Sequence, residues 1–185
     1  MRAHLTMAGL HFEARWSSSG LQALRLLPKN SSDHKPGTRF SMQLLSRSGC
    51  KGTPVPRACT VAAMRERHFL RTLRHTLRQF FRNRSSSFDV PLAWDGATDF
   101  QKEVWQALRK IPRGQTRSYA QIAQQIGRPR AARAVGAACA ANPILLLVPC
   151  HRVIGSDGSL GGFSSGIALK KTLLDRERPI SRSAL

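Results

Sequence analysis

Acidic residues are scarce in this sequence: 10 Asp and Glu stand against 30 Lys and Arg in 185 residues, a formal net charge of +20. Such an excess of positive charge favours a polyanionic partner. Because the excess lies in both halves of the chain, no basic tail accounts for it. An anionic membrane is the weaker alternative, since the sequence has neither a long apolar run nor a lipidation signal.

Cysteines are also few, and Cys50, Cys59, Cys139 and Cys150 form neither a Cys-x-x-Cys pair nor a regular framework. A secretory apolar segment is lacking at the N-terminus, so we expect a reduced compartment. That compartment is the cytoplasm, in association with the nucleoid, in a bacterium, or the nucleus in a eukaryote. No compact ligand spacing joins the cysteines to histidines, and we expect no zinc and no other cofactor.

The first half of the chain is weakly patterned. Two short apolar stretches, residues 10–16 and 21–27, flank a Ser-Ser-Ser-Gly segment and predict a β-hairpin. Residues 28–63 are rich in Ser, Pro, Gly, Lys and Arg, which predicts loop or disorder, or a poorly folded basic segment. Apolar side chains at helical spacing, with arginines between them, predict an amphipathic helix over residues 64–81. Such a helix can bind nucleic acid or a membrane, but more often it packs with a solvated face. Residues 82–91 are expected to be a linker.

Two capping boxes mark helix starts in the second half. Thr98 with Gln101 predicts a helix through about residue 110, and Ser118 with Gln121 predicts a short helix that Gly127 ends.

A third helix is predicted over residues 130–141, and it consists mostly of Ala and Gly. Arg133 is the one long polar side chain in its middle. Small side chains let a helix approach a surface closely, although an Ala-rich core helix is the alternative. Together with the short helix before it, this segment predicts a helix-turn-helix.

A cysteine precedes a histidine at the end of the apolar run 144–148. Five apolar residues in a row suit a segment buried on both sides. Pro149 then interrupts helix and strand, so that Cys150, His151 and Arg152 follow where the buried segment ends. A thiolate is a nucleophile that a nearby base or cation makes available. The alternative is a buried cysteine beside a surface histidine, the commoner arrangement for a bare Cys-His pair.

Further motifs surround this pair. They are Ser118-Tyr119-Ala120-Gln121-Ile122-Ala123, Gly127, Arg130-Ala131-Ala132-Arg133-Ala134-Val135-Gly136, Asn142-Pro143, Gly161-Gly162-Phe163-Ser164 and Leu173-Leu174-Asp175-Arg176-Glu177. In this order and spacing they closely resemble the alkylguanine-DNA alkyltransferases, also called methylated-DNA–protein-cysteine methyltransferases. The resemblance is strong from about residue 98 to residue 177, weakens towards the N-terminus and is absent over residues 28–63.

The resemblance implies an α+β fold. A small α/β N-terminal domain (residues 1–90) would precede a mainly helical, winged-helix-like domain (residues 91–185) that contains the helix-turn-helix. It also implies a monomeric DNA repair protein whose partner is double-stranded DNA that contains alkylated guanine. The alkyl group would pass from guanine O-6 irreversibly to Cys150, once per protein molecule.

The same resemblance implies the catalytic residues. Cys150 would attack the alkyl carbon, a water would link it to His151, and Glu177 would hold the far side of the imidazole. Asn142 would order the joint between the third helix and the reactive loop. Taken alone, Glu177 is better explained by a surface ion pair with Arg176 or Arg178, and Asn142 is equally well explained by a helix end.

DNA-binding residues are implied as well. Arg133 would fill the space left by a flipped nucleotide, and Tyr119 would help rotate the base and hydrogen-bond to it. Ser118, the cap residue before Tyr119, is expected to belong to the same binding surface. The Val153 backbone would read the base edge, and two residues at the end of the glycine-rich loop would complete the pocket: Phe163 and Ser164.

Two departures from the family pattern concern the pocket. Phe163 stands where the family usually has tyrosine, so a hydroxyl contact is lost. Ser165 stands where glycine is common, which is expected to tighten the pocket against bulky alkyl groups.

Three other functions stay open on the residues alone. A protein that binds lesions without chemistry would not need Cys150. A helix-turn-helix transcription regulator would show sequence preference. A Cys-His hydrolase would need an oxyanion-hole motif, and none accompanies the pair.

Overall fold

The computed structural model describes residues 1–27, 57–82 and 90–178, with backbone only for residues 57–63. The chain divides into two compact units, Met1–Ala93 and Trp94–Leu185. Strands and helices both contribute to the described residues, which confirms the expected α+β mixture. No helix among these residues is long and apolar enough to cross a membrane.

The N-terminal unit contains a three-stranded antiparallel sheet of β1 (Arg2–Met7), β2 (Leu10–Ser17) and β3 (Gly20–Leu27), in that order. The β2–β3 pair confirms the predicted hairpin. Strand β1 was not predicted, although its alternating burial follows the period of two that marks a half-buried strand. Ala8 and Gly9, both at positive φ, form the tight turn to β2.

Helix α1 (Arg57–Phe81) packs its apolar side on this sheet. Leu70, Leu73 and Leu77 are buried, and Phe69 stacks on Trp16 of β2 with ring centroids 5.5 Å apart. The helix confirms the prediction for residues 64–81.

The predicted start of α1 is wrong by seven residues, because residues 57–63 are helical and not loop. They include three alanines, the best helix-forming residue, and contain neither glycine nor proline. The remainder of the irregular segment, residues 28–56, and residues 83–89 of the predicted linker lie outside the described part.

The end of the N-terminal unit attaches to the edge of β3. Leu21 donates a backbone hydrogen bond to Pro91 and accepts one from Ala93, at 2.8 and 2.9 Å. Gly20 has φ +137°, and a Cβ there would lie 2.5 Å from the Pro91 carbonyl oxygen. Only glycine therefore permits this close approach.

The C-terminal unit begins with α2 (Asp99–Arg109), followed by β4 (Arg117–Ser118) and α3 (Tyr119–Gln125). Both predicted capping boxes are formed. Thr98 caps α2 and Ser118 caps α3, each through its side-chain oxygen and the reciprocal glutamine. Gly127 has φ +72° just after α3, as a helix-ending glycine does.

Helix α4 (Ala132–Ala140) is two residues shorter at its start than predicted. One side, with Val135, Ala138 and Cys139, is buried. The indole Nε1 of Trp105 in α2 donates a 2.9 Å hydrogen bond to the Ala138 carbonyl at the end of α4. The other side of α4 stays accessible.

The apolar run 144–148 is buried throughout, as expected, and it does not form a regular strand. The segment turns back on itself, with Val148 N donating to Ile144 O and Leu146 at φ +70°. A 3₁₀ helix over Cys150–Arg152 follows, and then β5 (Val153–Ile154), which pairs in parallel with β4. Burial of a short apolar run does not by itself distinguish a strand from another buried conformation.

Helix α5 (Ile167–Glu177) starts after Gly166 and brings Glu177 to the 3₁₀ helix, where it contacts His151.

Candidate active site

Cys150 is held in place by Asn142. The Asn142 Nδ2 atom lies 3.1 Å from Cys150 Sγ and donates to Val148 O at 2.9 Å, while its Oδ1 accepts from Ile144 N at 3.0 Å. One side chain thus fixes the turn between α4 and the thiol, which is only 5% exposed.

The resting Cys150 is a protonated thiol. Burial raises the pKa of Cys150, and the hydrogen bond from Asn142 and the charge of Lys170 oppose that rise without cancelling it. A nucleophilic role therefore requires a base that removes the proton.

His151, Arg152 and Glu177 form a buried cluster beside the thiol. The Glu177 carboxylate lies 3.0 Å from His151 Nε2 and accepts two 2.8 Å hydrogen bonds from Arg152. Arg152 also donates to the carbonyl oxygen of Ile111, two residues after α2, at 2.7 Å. The surface-ion-pair interpretation of Glu177 is wrong, because this residue is 4% exposed.

Charge within the cluster is well defined. Burial alone would raise the pKa of Glu177, but the hydrogen bonds from His151 and Arg152 outweigh it and lower this pKa to about 2. Burial lowers the pKa of His151, against the opposing effect of Glu177. The pair is therefore a carboxylate and a neutral imidazole, and the carboxylate favours the tautomer with its proton on Nε2. The lone pair then belongs to Nδ1.

Lys170 is a further buried group that sequence reasoning missed. Its side chain is fully buried, and its Nζ donates to Val153 O at 2.5 Å and to Leu160 O. The ammonium thus ties β5 to the loop that leads to Gly161. Lysine is rarely buried, so nothing in its sequence position signals this role.

An open groove of about 660 Å³ lies along α3, α4 and the glycine-rich loop. Its lining brings together four predicted site residues: Tyr119, Arg133, Phe163 and Ser164. Ala132, Gly136 and Ala140 line the side formed by α4. Cys150 is not among the lining residues. Of the other predicted binding residues, Ser118 caps α3, and Val153 is buried with its carbonyl oxygen accepting a hydrogen bond from Lys170.

Tyr119 is held between two glycines. A Cβ on Gly136 would lie 3.8 Å from Tyr119 Cε1, an ordinary contact, whereas a Cβ on Gly161 would lie 3.0 Å from the phenol oxygen. Burial raises the pKa of Tyr119, so its hydroxyl remains protonated and can donate a hydrogen bond.

Comparison with known proteins finds similar chains. A model of the family "6-O-methylguanine DNA methyltransferase, DNA binding domain" matches residues 99–179. The methylated-DNA–protein-cysteine methyltransferase of Methanosarcina barkeri is 53% identical over 109 residues, which are 59% of this chain and 68% of the relative. The protein of that name from Mycobacterium tuberculosis is 54% identical over 102 residues, 55% of this chain and 61% of the relative.

Solved structures are similar over most of the chain. The crystal structure of Mycobacterium tuberculosis OGT in complex with DNA has a TM-score of 0.64 at 39% identity, covering 92% of this chain and 89% of that one. The O6-methylguanine-DNA methyltransferase of Pyrococcus kodakaraensis has a TM-score of 0.61 at 23% identity, covering 96% and 99%, and so shares the fold.

Acid should destabilise the C-terminal unit through Glu177. Because the folded-state pKa is about 2 and the ordinary value is 4.5, the contribution of the carboxylate is complete above pH 4.5. It is lost as the pH falls through 2, and it amounts to something on the order of 3 kcal/mol. The free energy of unfolding, measured in urea between pH 6 and pH 2, should show this fall. The fall should be absent from Glu177→Gln, which has no carboxyl group to titrate at this position. Glu103→Gln, at an exposed ion pair with Arg128, is the control and should leave the pH profile unchanged. An unchanged profile in Glu177→Gln would contradict the assignment.

Proposed function

Because the chain belongs to the methylated-DNA–protein-cysteine methyltransferases, we propose that it repairs O6-alkylguanine in duplex DNA by moving the alkyl group onto Cys150. The observation that carries the assignment to Cys150 is its position. Asn142 contacts the thiol, and the next residue in the chain, His151, is hydrogen-bonded to the buried Glu177. One chain supplies every residue of this site, so a monomer suffices.

DNA binding is assigned to residues 91–185, with residues 1–90 as a separate N-terminal domain. In this proposal α3 and α4 form the helix-turn-helix of a winged-helix-like domain. Alanine and glycine on the accessible side of α4 permit close approach to the minor groove, where bulky side chains would collide with DNA. Arg133 is exposed on that same side.

The alkylated base must leave the duplex before Cys150 can reach it, at a cost of a few kcal/mol. In this proposal Arg133 occupies the vacated space in the stack, and Tyr119 donates a hydrogen bond to the flipped base. The groove that both residues line supports this division of roles.

Base recognition then falls to the loop beyond β5. Ser164 donates to guanine O-6, the Val153 backbone reads the base edge and Phe163 packs on the base. Phe163 and Ser164 line the groove, and the ammonium of Lys170 keeps Val153 in position from below.

Transfer requires a proton transfer, followed by nucleophilic attack. The thiol proton of Cys150 passes through a water to His151, and the Glu177 carboxylate stabilises the imidazolium that results. The thiolate attacks the alkyl carbon, so that a carbon–sulfur bond forms as the carbon–oxygen bond to O-6 breaks. Guanine leaves with that electron pair and takes up a proton. The thioether on Cys150 has no route to hydrolysis, so each molecule acts once.

Mixing the protein with duplex DNA that contains O6-methylguanine should add one methyl group, as measured by intact mass, and peptide mapping should place it on Cys150. Cys150→Ala should abolish the gain. Cys139→Ala is the matched control and should retain it, because burial raises the pKa of Cys139 to about 12 and leaves it a poor nucleophile. Methyl found mainly on Cys139 would disprove the assignment.

Arg133→Ala should slow transfer from duplex DNA by roughly 10- to 100-fold, since about 1.4–2.8 kcal/mol of base-flipping energy would be lost. Transfer from free O6-methylguanine base should change little, because a free base needs no flipping. Arg130→Ala, which removes an exposed arginine just before α4, should affect both substrates slightly. An equal loss on both substrates would mean that Arg133 supports the fold.

Gly161→Ala should slow transfer by roughly tenfold, because its Cβ would lie 3.0 Å from the Tyr119 hydroxyl and displace it. Gly158→Ala is the control: its φ of +82° carries the same kind of backbone strain, but nothing lies within 4 Å of the new Cβ. Both variants should lose about 1–2 kcal/mol of stability. Equal transfer rates in the two variants would show that the position of Tyr119 does not matter.

A further inference from the structure

Most of the positive charge lies outside the unit that contains the site. Residues 1–93 contain 16 Lys and Arg against 4 Asp and Glu, a formal charge of +12, whereas residues 94–185 contain 14 against 6, or +8. Alkyl transfer as proposed uses only residues of the second unit. The larger excess therefore has no role in that chemistry.

Helix α1 displays part of this excess as one continuous face. Arg67, Arg71 and Arg78, with Arg82 directly after the last residue of the helix, are exposed at spacings of four, seven and four residues. Arg82 N donates to Arg78 O and so continues the last turn, which places all four on one side. At 1.5 Å per residue the row is about 22 Å long. Leucines on the opposite side are buried, so the arginine face points to solvent. We call these four residues the arginine face.

Little within the unit offsets the arginine face. Glu66 is the one acidic residue between positions 57 and 82. Ion pairs among the described residues do not include Arg67, Arg71 or Arg82. A helix face that is merely solvated commonly alternates acidic and basic residues four apart. Here the positive charge of Arg67, Arg71 and Arg82 is left for an external anion.

We propose that the arginine face of α1 binds the phosphates of duplex DNA, as a second contact outside the alkyltransferase unit. Arginine pairs well with phosphate, and a row of guanidinium groups complements a regular row of phosphates. The proposal rests on the proposed function only in naming DNA as the polyanion. It adds a sequence-independent contact that strengthens binding to undamaged DNA during the search for a lesion.

A membrane surface fits the same face less well. Helices that lie in a membrane interface bury an apolar side in the lipid, but the apolar side of α1 is already buried within the unit. Met64 is the one large hydrophobic residue exposed on the part of α1 whose side chains are described. Charge alone is thus available for binding, as is typical of contacts to DNA phosphates.

The test compares two double variants with the same loss of charge. Arg67→Gln with Arg71→Gln removes half of the arginine face and spares Arg78. Arg15→Gln with Arg25→Gln removes two exposed arginines from β2 and β3 of the same unit. Binding to an undamaged duplex is measured at several salt concentrations for each variant and for the unmodified protein. Circular dichroism checks that α1 remains helical.

The α1 variant should lower the slope of log K against log salt by about 1.8, the contribution of two phosphate contacts. If the two proteins bind equally at 1 M salt, the variant should bind roughly 60-fold more weakly than the unmodified protein at 0.1 M salt. The β2–β3 variant should keep the slope of the unmodified protein. Both variants should react normally with free O6-methylguanine, which needs no DNA contact.

Equal slopes in the two variants, whether both lowered or both unchanged, would overturn the proposal and leave a solvated face. An unchanged slope with lost binding to phosphatidylserine vesicles would assign the arginine face to a membrane instead. Failure of the unmodified protein to accept methyl would refute the proposed function, yet the slopes would still report on the arginine face.

Discussion

The carboxylate of Glu177 is the interaction on which the C-terminal unit depends. It lies at the end of α5, accepts two hydrogen bonds from Arg152 and one from His151, and through Arg152 is linked to Ile111, two residues after α2. A buried charge is costly unless it is paired and hydrogen-bonded, and removing one partner of a buried ion pair typically costs about 3–5 kcal/mol of stability. Folding of the unit and orientation of the imidazole therefore rest on the same contacts. The hydrogen bond that orients His151 as a base is therefore present before any substrate binds.

Burial has opposite effects on the two partners of the proposed transfer. It raises the pKa of Cys150 and so keeps the thiol protonated and unreactive towards solvent, and it lowers the pKa of His151 and so keeps the imidazole ready to accept a proton. The thiol is thus unreactive until a substrate reaches it, and the base is available when that happens. For a protein that can react once, such protection matters as much as speed. Asn142 contributes to both protection and reactivity, because it fixes the thiol of Cys150 in place and partly offsets the rise in the pKa of that thiol.

Local signals predicted much of this structure. Ser118, Thr98 and their glutamines mark helix starts because a capping box is a contact between residues three apart. Burial of residues 144–148 was predictable from composition, but their turn was not, since the positive φ of Leu146 is imposed by surrounding structure. The buried positions of Arg152 and Lys170 were not predicted either. Each becomes buried only because backbone carbonyls or a carboxylate distant in sequence meet it in the folded chain.

In lesion repair, the affinity for DNA and the specificity for the damaged base come from different contacts. A lesion can occur beside any neighbouring sequence, and the small side chains of α4 cannot read base edges in a groove whose code is already degenerate. Discrimination must then come late, from the fit of one flipped base and from the reaction itself, which only an alkylated base undergoes. Affinity has to come from the phosphates, yet only one long cation, Arg133, lies within α4. Charge distributed elsewhere on the molecule is the remaining source. A basic N-terminal unit is therefore consistent with the proposal that α4, which has almost no charge of its own, is the DNA-binding helix.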